Sequence, residues 1–141
     1  NSSHVPDTVF YLIGHPFEMC CYTDGSLPWH PSASVFSGAG ITTRGIPFSY
    51  NANWESAGRW GIEVDMEDKK LILRPLERLQ VLNKGTLKPS IVELPDEYKD
   101  IDFKPGLFEE VRAFLGEQDD LCTIKEQFDN FSWYYRIANY V

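Results

Sequence analysis

Hydrophobic and polar positions divide the 141 residues into three zones with different periods. The first is helical. After Ser2 or Ser3 as a cap, and with Pro6 in a tolerated first-turn position, Val5, Val9, Leu12 and Ile13 recur at the spacing of one helix face before Gly14 and Pro16 stop the run.

From Phe17 the period falls to two, with β-branched and aromatic residues between turn signals, and predicts seven short strands over 17–23, 35–43, 46–54, 59–65, 71–74, 79–82 and 91–94. Thr43-Arg44-Gly45 and Glu67-Asp68-Lys69-Lys70 read as hairpin turns, and no gap between strands is long enough for a crossover helix, so the strands pair mainly antiparallel. Phe48, Tyr50, Ala52 and Trp54 fall on one side of the third strand and Pro47, Ser49, Asn51 and Asn53 on the other. Trp60, Ile62 and Val64 alternate in the same way with Arg59, Glu63 and Asp65. One face is therefore apolar and the other mixed.

The helical period returns over 106–115 and 123–140, carried by Leu107, Val111, Phe114 and Leu115 and then by Ile124, Phe128, Phe131, Tyr135 and Ile137. The predicted fold is α+β: an open, mainly antiparallel sheet of about seven strands with helices packed on one face. Residues 1–141 are read as a single domain, a length that buries a core without staples. The uncovered mixed face is expected to pair with a second copy of the chain, as a homodimer.

Composition narrows the setting. Neighbours Cys20 and Cys21 point to opposite faces of a strand and Cys122 makes an odd third, which argues against a disulfide framework and for a reducing, cytoplasmic environment. No apolar run approaches the roughly 18 residues of a membrane span. The net charge of −8 is concentrated in residues 93–129, which hold twelve acidic and four basic side chains. Such a surface repels phosphate backbones and anionic bilayers, so neither nucleic acid nor a membrane is an expected partner.

Gly38-Ala39-Gly40-Ile41-Thr42-Thr43 is the nearest approach to a dinucleotide fingerprint, but it lacks the third glycine, sits inside a strand pattern and is followed by another strand rather than a helix. Close packing or a bulge explains it, and no cofactor is expected to bind this chain. His4, His15 and His30 stand in no metal-ligand spacing, and no nucleophile elbow is present. His4-Val5-Pro6-Asp7 places an imidazole and a carboxylate three apart at a helix start, where the acid would orient the ring. Spacing alone favours a plainer reading, an exposed helix-start histidine with a first-turn acid suited to the helix dipole. Trp29-His30-Pro31, Asn53, Trp54, Arg59 and Trp60 supply aromatic faces and a bidentate donor suited to a polyhydroxylated ligand; against this, strand tryptophans pack in cores, and Arg59 has Glu63 and Asp65 to pair with.

The order of several segments adds to this. "SHVPDTVFYLIGHP", "FSYNANWESAGRWGIEV", "LILRPLERLQV" and "FKPGLFEEVRAFL" together resemble the C-terminal domain of the Gfo/Idh/MocA family, NAD(P)-dependent sugar and polyol oxidoreductases. The resemblance implies a substrate-binding and dimerising domain whose N-terminal Rossmann half, with the NAD or NADP site and a catalytic lysine, precedes this sequence. It implies His4 as the catalytic group exchanging the substrate hydroxyl proton during hydride transfer, and Asp7 as a substrate-binding residue; Trp29, His30 and Arg59 are expected as further substrate contacts on their side-chain chemistry alone. Pro6 replaces a usual aliphatic residue, and a family aspartate four positions before the histidine would fall just ahead of Asn1. The chain is thus expected to be a truncated C-terminal piece, inactive by itself. The alternative is a non-enzymatic sheet module that dimerises or binds a small ligand.

Overall fold

The computed structural model describes residues 3–95, 97–116 and 121–140. Ser2, and Asp96, Glu117, Asp119 and Asp120 of the acidic segment, lie outside them. The chain divides into two compact units, one formed by the residues up to Gly58 together with those from Thr123 onward, the other by Arg59–Cys122.

The first unit begins with helix α1, His4–Ile13, followed by strands β1, Pro16–Asp24, β2, Val35–Thr42, and β3, Pro47–Asn53. Ser3 is the residue before α1, but its own backbone is helical and its hydroxyl makes no cap bond. The three strands form one antiparallel sheet in the order β1-β2-β3. Register brings Met19, Cys21 and Thr23 onto the same face as Phe36, Gly38 and Gly40 and as Phe48, Tyr50 and Ala52. Met19 and Phe36 are buried there, while Cys20, Ala39 and Ser49 of the opposite face are exposed. The alternation read from sequence is the real one.

Gly38 and Gly40 make that inner face possible. A Cβ on Gly38 would stand 2.5 Å from the Tyr50 hydroxyl, and one on Gly40 would stand 2.9 Å from the Phe48 ring. The glycines let both rings of β3 lie across β2.

Helix α4, Ile124–Ala138, closes the unit by packing on β1 and β2. It opens with a capping box: the Glu126 N–H donates to Thr123 Oγ1 at 3.2 Å, and the Thr123 N–H donates to the Glu126 carboxylate at 2.7 Å. The Thr123 N–H and then the Thr123 hydroxyl, which also donates to the carboxylate at 2.8 Å, hold the Glu126 carboxyl below its ordinary value. Near the other end, Arg136 stacks on Trp133 at 5.1 Å and donates to the Met19 carbonyl at 2.8 Å. The carbonyls of Glu18 and Cys20 lie against β2, so that of Met19 faces the open sheet edge, and Arg136 satisfies it there.

The second unit holds β4, Ile62–Asp65, β5, Lys69–Leu73, β6, Leu79–Asn83, and β7, Ser90–Ile91, an antiparallel meander in sequence order. Helices α2, Glu97–Asp102, and α3, Leu107–Leu115, follow and pack on each other. Lys99 of α2 joins them: its ammonium lies over the Phe108 ring at 4.7 Å and bonds Glu109 at 2.9 Å.

The α+β class, seven strands and antiparallel pairing match expectation, but the strands form two open sheets, of three and four, rather than one of seven. The difference arises after β3. Residues 59–61, read as the start of a strand, are not extended pairing residues, so nothing carries the ladder from β3 into β4. Helix α2 was not legible, because its six residues include one strongly apolar position, Ile101, and no helical stripe.

Candidate functional site

His4 and Asp7 both lie on the first turn of α1, where the helix begins without a side-chain cap. The His4 side chain is exposed, and its carbonyl accepts a bond from Thr8 Oγ1 at 2.7 Å. Asp7, three residues on, reaches α4. Its Oδ1 accepts two bonds, from Asn130 Nδ2 at 3.1 Å and from Tyr134 Oη at 2.9 Å.

The contact has a simple geometric origin. Asp7 and Phe10 share a face of α1 at a spacing of three, and Asn130 and Tyr134 share a face of α4 at a spacing of four, so the two pairs meet as two rungs. The Tyr134 ring stacks on Phe10, centroids 6.3 Å apart and planes within 6°. Phe10 and Asn130 are almost wholly buried. Burial, and then the bond and charge of Asp7, push the Tyr134 phenol well above its ordinary value. Asn130 Oδ1 is buried without a hydrogen-bond partner, an acceptor left open beside the carboxylate.

Asn130 and Tyr134 are the polar partners that sequence reasoning missed. One signal was present: an asparagine in the middle of an otherwise aromatic and apolar helix stripe, where helix propensity disfavours it.

Trp29 and His30 lie in the β1–β2 connection, where Leu27 and His30 exchange backbone bonds of 2.9 and 3.0 Å around Pro28 and Trp29. The turn separates the fates of its two aromatic residues. Trp29 is 62% exposed, whereas the His30 ring is buried against Tyr140 at 4.6 Å and Phe36 at 5.3 Å, with Nδ1 accepting the Ala33 N–H at 3.3 Å. Asp7 is thus joined to α4, with His4 on the same helix turn, while Trp29 and His30 gather with Trp54 at another place in the same unit.

Arg59 belongs to the second unit, exposed and without a salt bridge among the described residues. The acids expected to pair with it are taken by others: Lys70 bonds Glu63 at 3.0 Å and Asp65 at 3.2 Å, and Arg74 reaches Glu63 at 4.0 Å. Lys70 lies on the strand facing both acids, which sets this choice. A cavity of about 180 Å³ in the same unit is lined by Leu79, Val92, Leu94 and Lys99 among others, and contains none of the expected site residues.

Gly38, Ala39, Gly40, Ile41 and Thr42 lie in the middle strand β2, and Thr43 opens the turn after it. Among the described residues no group of three or more His, Cys, Asp or Glu side chains is placed to hold a metal ion, and no helix is long and apolar enough to cross a membrane. Compared with known protein families, curated proteins and solved structures, the chain matches none.

Proposed function

We propose that the chain is the substrate-binding and dimerising domain of an NAD(P)-dependent sugar or polyol oxidoreductase similar to the Gfo/Idh/MocA family, acting beside a nucleotide-binding half. In this reading His4 exchanges the proton of the substrate hydroxyl while hydride passes between that carbon and nicotinamide, and Asp7 holds a neighbouring hydroxyl. The observation that carries it is the setting of Asp7. Both α4 donors converge on Oδ1, which fixes the carboxylate and leaves Oδ2 without a hydrogen bond among the described residues, one turn from an exposed imidazole. A preorganised acceptor beside a titratable ring is what a hydroxyl substrate requires.

The test joins this chain to an NAD(P)-binding half and replaces His4 by Asn. Turnover is expected to fall on the order of 10²–10⁴-fold with cofactor affinity unchanged. Near-normal turnover across the pH range would overturn the assignment.

A second reading, a sheet module that self-associates or binds a small ligand without catalysis, is favoured by one feature. The sheet face carrying Cys20, Tyr22, Ala39, Ile41 and Ser49 is exposed at each of these positions and bears few charges.

A further inference from the structure

The β1–β2 connection and the end of β3 build an open aromatic corner. Trp29 and Trp54 meet with ring centroids 5.2 Å apart and planes at 76°, and they remain 62% and 43% exposed. Neither ring is held loosely. Trp29 stands on the Leu27–His30 turn over the buried His30 ring, 6.0 Å away, and the Trp54 N–H extends the ladder to the Ser34 carbonyl at 3.0 Å.

Carboxylates are fixed beside the corner. Glu55, next to Trp54, accepts a bond of 2.6 Å from the fully buried Ser34 hydroxyl through Oε2, and its own N–H donates to Asn53 Oδ1 at 2.9 Å. Asp24 accepts the Gly25 N–H at 2.8 Å, on the turn that Glu55 Oε2 also approaches. Residues 1–43 and 45–58 contain no lysine or arginine. The three cations of this unit are engaged with other partners: Arg44 with the Leu12 carbonyl, Lys125 with Asp129 and Arg136 with the Met19 carbonyl.

We propose that the Trp29–Trp54 corner, with Glu55 and Asp24 beside it, binds an organic cation, a quaternary or alkylated ammonium group. Two indole faces at a wide angle offer their negative quadrupoles to one soft, weakly hydrated charge, and the carboxylates add long-range attraction, the three lysine and arginine side chains of this unit being bonded elsewhere. A neutral sugar would use the ring faces but gain nothing from the charge; an anion would be repelled. The site uses neither His4 nor Asp7, and it assigns Trp29 a cationic ligand in place of the polyhydroxylated one expected from sequence.

The experiment titrates the 141-residue chain with choline at low salt and follows the choline methyl protons and the backbone amides by NMR. Upfield methyl shifts and saturable movement of the Trp29, Trp54 and Glu55 amides are expected, with a dissociation constant on the order of 1 mM. The neutral isostere 3,3-dimethylbutan-1-ol should bind at least about fivefold more weakly, Trp29→Ala should weaken choline by about fivefold, and Glu55→Gln by about threefold. Trp29 is largely exposed, so its replacement leaves the fold testable, and the amide spectrum of each variant reports folding directly. Equal response to the neutral isostere, tighter saturation of the same amides by sorbitol, or choline binding unchanged in both folded variants would each overturn the proposal.

Discussion

Tyr134 donates its hydroxyl to Asp7 at 2.9 Å across 127 residues of sequence, and Asn130 donates to the same oxygen. The bond ties the first helix to the last. Asp7→Ala would leave Asn130 Nδ2 unpaired beside an Oδ1 that already lacks a partner, and is expected to cost about 2–3 kcal/mol. Asp7→Asn keeps an acceptor and should cost about 1 kcal/mol. Urea denaturation of the two variants gives the comparison; equal, negligible losses would show that the clamp contributes nothing.

The same bond has a pH signature. The folded state holds the Tyr134 proton more tightly than the unfolded chain, whose phenol titrates near pH 10. Its contribution is fully present below about pH 10 and is lost as pH rises toward the higher folded value. Tyr50, whose buried hydroxyl has no hydrogen-bond partner among the described residues, behaves alike, raised first by burial and then by its proximity to Cys21. Phenolate absorbance should show late-ionising tyrosine in the wild type, and Tyr134→Phe and Tyr50→Phe should each remove part of it.

Gly38→Ala and Gly40→Ala test the packing of β3 over β2. Each new methyl meets a β1 backbone carbonyl, that of Cys20 or of Glu18, as well as the Tyr50 or Phe48 ring, and a loss of about 1–3 kcal/mol is expected. Gly45→Ala meets no atom within 4 Å but must adopt a φ of +76°, so its cost, about 1 kcal/mol, comes from backbone strain alone. Thermal melts should rank Gly45→Ala above the other two.

If the domain dimerises through its open sheet face, a charge placed there should separate the copies. Ala39→Glu, exposed in the middle strand, is expected to shift sedimentation toward monomer at concentrations where the wild type associates. A wild type that stays monomeric at high micromolar concentration argues against this surface.

Local pattern alone determined most elements. Alternation placed Phe48, Tyr50 and Ala52 on one sheet face, Gly45 marked a hairpin, and the returning helical period placed α4, because each is decided by neighbours a few residues away. Tertiary structure decided the rest. Nothing near Asp7 in the chain points to Asn130 or Tyr134, nothing in a run of strands says where a seven-strand ladder breaks into three and four, and Trp29 and His30 share a motif but only one is buried. These outcomes depend on which helix face meets which, and on where a sheet edge is left open, properties of distant surfaces that sequence period cannot encode.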